Sequence, residues 1–364
     1  MFKSYVTSII RSSIKRLLLL NSYKVNRNSH TVIDKTVITV PPRGQSKIEA
    51  VDEGGQYKCL QHPNIYSRDQ LGHYLAGLLE GDGHISIPAL GKTTLNRVLN
   101  PRFVFTFHKK NLKLYKLIQS ELGGIGRFQS KDRDVLRYII GGGPRYAAGG
   151  RAGSEDIEGI NILIRLLHNK FRTPKIITFN KLIQFMTTKY NLNFEESLLD
   201  LSKINSNSWF TGFSDAEGYF GINFREADPN SNTRRYRYPQ IGLVFRLDQR
   251  SFDRSTLSSM SSIMEKIANF LSCNLITVKK KSKTPLKLEA IERLSVEIAA
   301  AEPLNKIENL VNSFNQYPLL GIKLLDFKDW NLVYSMIKNK EHLTESGRLK
   351  IKLIKSNMNS NRLV

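Results

Sequence analysis

Two cysteines, Cys59 and Cys273, are the chain's whole thiol complement, and its seven histidines show no His-x-x-x-His or Cys-x-x-Cys spacing. That scarcity excludes a disulfide framework and a Cys-rich zinc centre. A catalytic metal would have to take oxygen ligands, the preference of Mg²⁺. Acids are also in short supply: 32 Asp and Glu face 55 Lys and Arg in 364 residues, a net charge of +23. No apolar run approaches a bilayer's thickness, since Leu17–Leu20 is only four residues long, and no membrane association is expected. The positive excess favours a polyanionic partner instead, because each neutralised phosphate releases condensed counterions.

The first 33 residues hold no acid, many Ser, and six basic residues: Lys3, Arg11, Lys15, Arg16, Lys24 and Arg27. This composition matches an organellar transit peptide, so a mitochondrial location is expected; an upstream extension translated with the rest and never imported also fits. Residues 1–66 therefore read as a basic N-terminal extension.

From residue 67 the chain repeats itself once. Ser67-Arg68-Asp69-Gln70 has the form of a capping box, and Leu71, Tyr74, Leu75, Leu78 and Leu79 then recur at helical spacing up to Gly81-Asp82-Gly83. A second such helix follows Trp209. Downstream, Pro101–His108 matches Pro239–Arg246 without a gap, and both segments alternate as strands with one buried face. An amphipathic helix is expected after each, on Leu112, Tyr115 and Ile118 in one copy and on Leu257, Met260, Met264 and Ile267 in the other. Lys175–Phe179 then pairs with Lys323–Phe327. Three pairs in one order are not chance. The expected domains are 67–190 and 207–364, joined by a polar linker over 191–206. The Gly-rich run 141–153 lacks a following Lys-Ser/Thr and reads as a flexible insertion rather than a phosphate-binding loop.

Two nonapeptides head the copies: Leu75–Gly83 (LAGLLEGDG) and Phe210–Gly218 (FTGFSDAEG). Gly77 and Gly81, like Gly212 and Ala216, stand four apart on one helix face, where small residues let two helix backbones approach closely. Asp82 and Glu217 stand at helix C-termini, where the macrodipole is already negative; a carboxylate there is disfavoured by about 0.3–1 kcal/mol unless a cation compensates. If the helices pair in parallel, like charge adds to that penalty, and a divalent ion would relieve both. Glu80 and Asp215 face elsewhere and read as structural.

These nonapeptides resemble the motif of the LAGLIDADG homing endonucleases. The first departs from it at positions five to seven, the second at one, two, four, five and eight, where Glu217 replaces Asp. The resemblance runs from residue 67 to about 360, and His342–Asn359 resembles the tail of organelle-intron members. It implies an α+β fold of two pseudo-symmetric αββαββα halves, each with an antiparallel DNA-binding sheet, joined through the paired motif helices. It further implies a monomer that cuts both strands of a long, asymmetric double-stranded DNA site and leaves short 3′ overhangs. The implied ligands of Mg²⁺, or of another divalent ion such as Mn²⁺, are Asp82 and Glu217, helped by the carbonyls of Gly81 and Ala216. Lys175 and Lys323 match the family's active-site lysine, which stabilises charge on the attacked phosphate. Water-ordering residues cannot be placed, with His108 and Gln249 as candidates.

Candidate DNA contacts are Arg127, Lys131, Arg133 and Arg137 in the first copy, and Arg225, Arg234, Arg235, Arg237, Arg246, Lys279 and Lys281 in the second. The run Arg234–Tyr238 is expected on the sheet that enters the major groove. Some relatives act as maturases, which bind their own intron RNA and assist splicing, alone or in addition. Asp82 and Glu217 discriminate, because a pure splicing cofactor needs neither.

Overall fold

The computed structural model describes residues 50–51, 57–58, 66–89, 99–142, 152–280, 291–298 and 304–362. The chain divides into two compact units, Met1–Pro63 and Asn64–Val364. In the first, Ala50–Val51 pairs antiparallel with Tyr57–Lys58. The transit-peptide reading, most of the Gly-rich run, Lys281 and the side chain of Arg235 lie outside the described residues.

The second unit is built twice. Its first half runs α1 (Arg68–Asp82), β1 (Gly83–Ser86), β2 (Arg102–His108), α2 (Leu112–Glu121), β3 (Arg127–Ser130), β4 (Val135–Gly141), α3 (Ala152–Leu167) and α4 (Lys175–Tyr190). The second half runs α5 (Trp209–Glu217), β5 (Gly218–Arg225), β6 (Gln240–Arg250), α6 (Ser261–Phe270), β7 (Leu275–Lys280), β8 (Ile291–Ile298), α7 (Leu304–Gln316) and α8 (Lys323–Lys338), and the tail adds α9 (Glu345–Ser356). The strands form two four-stranded antiparallel sheets, ordered β1-β2-β4-β3 and β5-β6-β8-β7. Each half is thus αββαββ followed by two helices, and the two halves form the pseudo-symmetric α+β pair expected. No helix among the described residues is long and apolar enough to cross a membrane.

The motif helices lie against each other at the centre of the unit. A methyl on Gly212 would fall 1.9 Å from the Tyr74 carbonyl oxygen, and one on Gly77 would fall 2.1 Å from that of Trp209. Only glycine permits that approach. The start of α1 is capped as its sequence predicts, with Ser67 Oγ accepting from Gln70 N. The other arm of the capping box is diverted: Gln70 Oε1 accepts from Ser208 N at 2.9 Å. Ser208 precedes α5, so the two helix starts are tied together. Aromatic clusters fill both halves, among them Phe105, Phe107, Tyr115 and Tyr138 in the first, and Phe210, Phe220, Phe245 and Phe314 in the second. At the tail, Arg362 bonds Asp326 and Asp329, while its carbonyl accepts from Lys110 Nζ of the first half at 2.8 Å.

Three expectations need correction. Gly83 pairs with Phe105 and Gly218 with Leu247. These glycines hold the same motif position, so Phe105 corresponds to Leu247, four residues beyond its partner in the gapless match. β6 spans 11 residues against 7 in β2, and the extra length lies at its start. A slip by an even number keeps the inward–outward alternation, so alternation could not reveal it. Leu257 lies outside α6, in a left-handed conformation (φ 56°) and 77% exposed; the helix begins only at Ser261. Arg234–Arg237 form a 3₁₀ turn between β5 and β6 rather than part of the sheet.

Candidate active site

Each motif helix stops where Gly83 or Gly218 turns extended, its N–H closing on Leu79 or Ser214. The turn brings the two eighth-position acids to the same end of the helix pair. Asp82 is pushed up to about 7, first by burial and then by the negative charge of Glu217. Burial also raises Glu217, against the pull of Lys323, Arg293, Gln249 and Lys175.

The sixth-position acids are buried and hold the frame. Glu80 accepts from the backbone N–H groups of Arg172 and Thr173, from Thr173 Oγ1 and from Trp209 Nε1. Asp215 accepts from the N–H groups of Leu320 and Gly321, and from the Tyr74 hydroxyl at 2.8 Å. Tyr74 and Trp209 each stand immediately before their own nonapeptide. Each residue therefore reaches across to the other helix's acid, and each acid fixes the turn that starts α4 or α8.

That turn delivers a lysine. Lys175 Nζ donates to the carbonyls of Leu79 (2.8 Å), Glu80 (2.9 Å) and Gly83 (2.7 Å). Lys323 Nζ donates to those of Ser214 (3.3 Å) and Ala216 (2.6 Å). Burial lowers the pKa of both. Each ammonium meets the carbonyl end of a motif helix, where a cation opposes the macrodipole. Lys175 has spent all three of its donors; Lys323 keeps one.

A cleft of about 370 Å³ opens beside Glu217, with Gly81, Lys175, Gln249, Arg250, Arg254 and Arg293 among its walls. Gln249 stands next to Glu217 and holds its carboxyl down. His108 lies elsewhere: it is exposed, and its Nδ1 caps the turn at Lys110 N. Among the described residues no three His, Cys, Asp or Glu side chains cluster as a metal cage. Two half-buried, mutually repelling carboxylates next to backbone carbonyls do suit Mg²⁺, which keeps several waters and takes one or two carboxylates.

The candidate DNA contacts spread over both sheets. Lys131 and Arg133 are exposed at the β3–β4 turn, Arg137 is half-buried on β4, and Lys279 is exposed on β7. Arg127 Nη1 bonds the Gly141 carbonyl at 3.1 Å. Arg225 stacks 3.8 Å over the Tyr236 ring. Arg237 bonds the Ser231 carbonyl, and Arg234 is exposed. Arg246 lies between Asp248 and Glu297, over Tyr219. The sequence reading missed Arg293 and the reach of Trp209 and Tyr74; the first needs the sheet register and the others the helix crossing.

The chain is similar to known proteins in sequence and in fold. The family model described as LAGLIDADG endonuclease matches residues 75–146 and 210–334, more than half of the chain. The chain is 27% identical over 311 residues to "Intron-encoded DNA endonuclease aI3" of Saccharomyces cerevisiae, covering 81% of this chain and 71% of that protein. Among solved structures it resembles the I-LtrWI LAGLIDADG homing endonuclease bound to target DNA (TM-score 0.57, 21% identity, 82% of this chain and 100% of that one). It also resembles I-SmaMI bound to uncleaved DNA target in the presence of calcium ions (TM-score 0.56, 18% identity, 79% and 98%). With the motif present twice and both copies matched, the chain belongs to the LAGLIDADG endonuclease family.

Proposed function

We propose that this protein is a monomeric, site-specific homing endonuclease that hydrolyses one phosphodiester in each strand of a long, asymmetric DNA site and leaves short 3′ overhangs. The observation that carries this reading is the pair Asp82 and Glu217, half-buried at one end of the helix pair and in the electrostatic field of Lys175 and Lys323. Glu80 and Asp215 are each held by two backbone N–H groups of a turn, whereas Glu217 meets the Gln249 side chain and the charges of Lys323 and Arg293.

Asp82 and Glu217 would hold a divalent cation, Mg²⁺ or Mn²⁺, with the carbonyl oxygens of Gly81 and Ala216 available beside them. A cation held there supplies Lewis-acid chemistry, acidifying a water and drawing charge from the phosphate. The chain's own residues do the rest. Lys175 and Lys323 fix the helix ends and put positive charge next to the carboxylates. Gln249 orients water next to Glu217. The basic side chains of both sheets, Arg127, Lys131, Arg133 and Arg137 with Arg225, Arg234, Arg237, Arg246 and Lys279, would contact the phosphate backbone and base edges. The similarity to an intron-encoded DNA endonuclease supports an intron-encoded role, and the acid-free N-terminus supports a mitochondrial one.

The test is cleavage of a randomised duplex library with Mg²⁺ and with EDTA, beside the Asp82→Asn/Glu217→Gln variant. Mg²⁺-dependent cutting at one long site is expected, with a loss of at least roughly 10³-fold in the variant and DNA binding retained. Folded protein that binds nucleic acid but never cuts would overturn the reading in favour of an RNA maturase.

A further inference from the structure

The two carboxylates stand in unequal surroundings. By the sheet register, Phe107 of the first half corresponds to Gln249 of the second, and Val135, which pairs with His108, corresponds to Arg293, which pairs with Arg250. Next to Glu217, Gln249 and Arg293 line the cleft. Arg293 Nη2 is anchored on the Asp248 carbonyl at 3.0 Å, while its Nε is buried with no hydrogen-bond partner, and the Gln249 side chain is turned to Glu217. Buried donors without partners are rare in folded proteins and point to a missing acceptor. The Asp82 side has the opposite character. Phe107 is buried and stacked 3.8 Å from Tyr115, whose hydroxyl lies in the field of Asp82. Neither Phe107 nor Val135 has a side-chain donor to offer.

We infer that Arg293 is a catalytic residue for one strand only, its guanidinium donating to the non-bridging oxygens of the scissile phosphate on the Glu217 side, so that this strand is cut first through a nicked duplex. The inference rests on the endonuclease reading above. In each cut, water oxygen bonds to phosphorus, the P–O3′ bond breaks, and the 3′ oxygen leaves with a proton from that water; no other reactant is consumed. Charge grows on the non-bridging oxygens as this happens, and a preorganised arginine stabilises it more strongly than the ground state. On the Asp82 side, the strand positions that correspond to Gln249 and Arg293 carry no donor, and the cationic field named for Asp82 is that of Lys323 and Lys175.

The test uses the full chain and the duplex recovered from the library, with each strand labelled separately, in single-turnover Mg²⁺ reactions. Wild type is expected to build up a duplex nicked in one defined strand. Arg293→Ala should slow that strand by roughly 10²-fold and leave the other within about two-fold, with Arg293→Lys intermediate. A binding readout in EDTA accompanies it. Replacing the scissile phosphate of the first-cut strand by a neutral methylphosphonate should weaken wild type more than Arg293→Ala, and the same change in the other strand should affect both alike. Unchanged melting temperatures exclude misfolding, and Arg293→Gln provides a second variant if Arg293→Ala does not fold. Equal slowing of both strands, or of neither, in a protein that does cut would overturn the inference alone. A wild type that cuts nothing would overturn the endonuclease reading and this inference with it.

Discussion

The first half holds Glu80 with the turn before α4, and the second holds Asp215 with the turn before α8; in each, an aromatic from the opposite helix closes the set. That lattice is kept in both halves because it is made mostly to backbone N–H groups, which any residue supplies. Toward the cleft the halves part. Lys175 makes three bonds where Lys323 makes two. Gln249 and Arg293 stand where the other half has Phe107 and Val135. The α6 side has a loop over 251–260 where the α2 side has only Lys109–Asn111. A duplicated chain can diverge freely in side chains that face a ligand, but not in the turns and glycines that hold its two helices together.

The strongest way to break that contrast is at the helix contact. Gly212→Ala and Gly77→Ala each drive a methyl into a backbone carbonyl of the partner helix. Each should cost about 4 kcal/mol or more, or prevent folding. Gly81→Ala should cost somewhat less, since its methyl would fall 2.3 Å from the Cβ of Ala216 rather than on a carbonyl oxygen, a clash that only backbone movement relieves. Thermal melts of the three variants decide it. A Gly81→Ala as damaging as Gly212→Ala would show that the tight frame extends into the catalytic end.

Next come the sixth-position acids. Glu80→Gln sets an amide N–H₂ among donors that meet both carboxylate oxygens, whereas the three donors of Asp215 all meet Oδ2, so Asp215→Asn can turn its N–H₂ to the partnerless Oδ1 position. Expected losses are about 3 and about 1 kcal/mol, because only the first forces a buried donor to face a donor. Urea titration measures both. A reversed order would mean that the Tyr74 hydroxyl bond outweighs the extra partners of Glu80.

Much of this frame could be read from the sequence. The paired nonapeptides, the glycines four apart and the recurrence of Lys175 as Lys323 all follow from local spacing. What could not be read depended on register and on contacts between distant segments. Gln249 stands beside Glu217 only because β6 begins four residues early, and an even offset leaves alternation unchanged. Glu80 reads as a structural acid, but nothing local announces that its partners are a turn 92 residues away and an indole 129 residues away. The Arg234–Arg237 segment misled because Arg-Tyr alternation mimics a strand where the chain makes a 3₁₀ turn.

The eighth-position acids give a pH-dependent contrast. Asp82 is raised to about 7, so in the absence of divalent ions the folded chain binds that proton more tightly than the unfolded chain does. The resulting stability is fully present below about pH 4 and is lost as pH rises through 7, by on the order of 1–4 kcal/mol. Asp82→Asn carries no such titration. In EDTA its advantage over wild type should be small at pH 5 and larger at pH 8, and Mg²⁺ should narrow it by stabilising wild type. Melting curves with parallel pH dependence for the two proteins would refute the burial of this charge.

The smallest expected effect isolates a difference between the two helix starts. Ile322 N donates to Asn111 Oδ1 of the other half at 2.9 Å. The corresponding residue at the start of α4 is Pro174, which has no N–H to satisfy. Asp253, at the position corresponding to Asn111, turns inward on its own loop, accepting from Ser255 and Thr256. Proline at the start of a helix thus removes the need for a cross-half partner and frees Asp253 to shape the longer loop. Asn111→Ala should therefore cost about 1 kcal/mol and selectively speed hydrogen exchange at Ile322 N, leaving α4 unaffected. Asp253→Ala should loosen residues 253–256 without changing exchange at either helix start. If Asn111→Ala loosened both helix starts equally, the two turns would be coupled through the helix pair, and the halves would be less independent than their side chains imply.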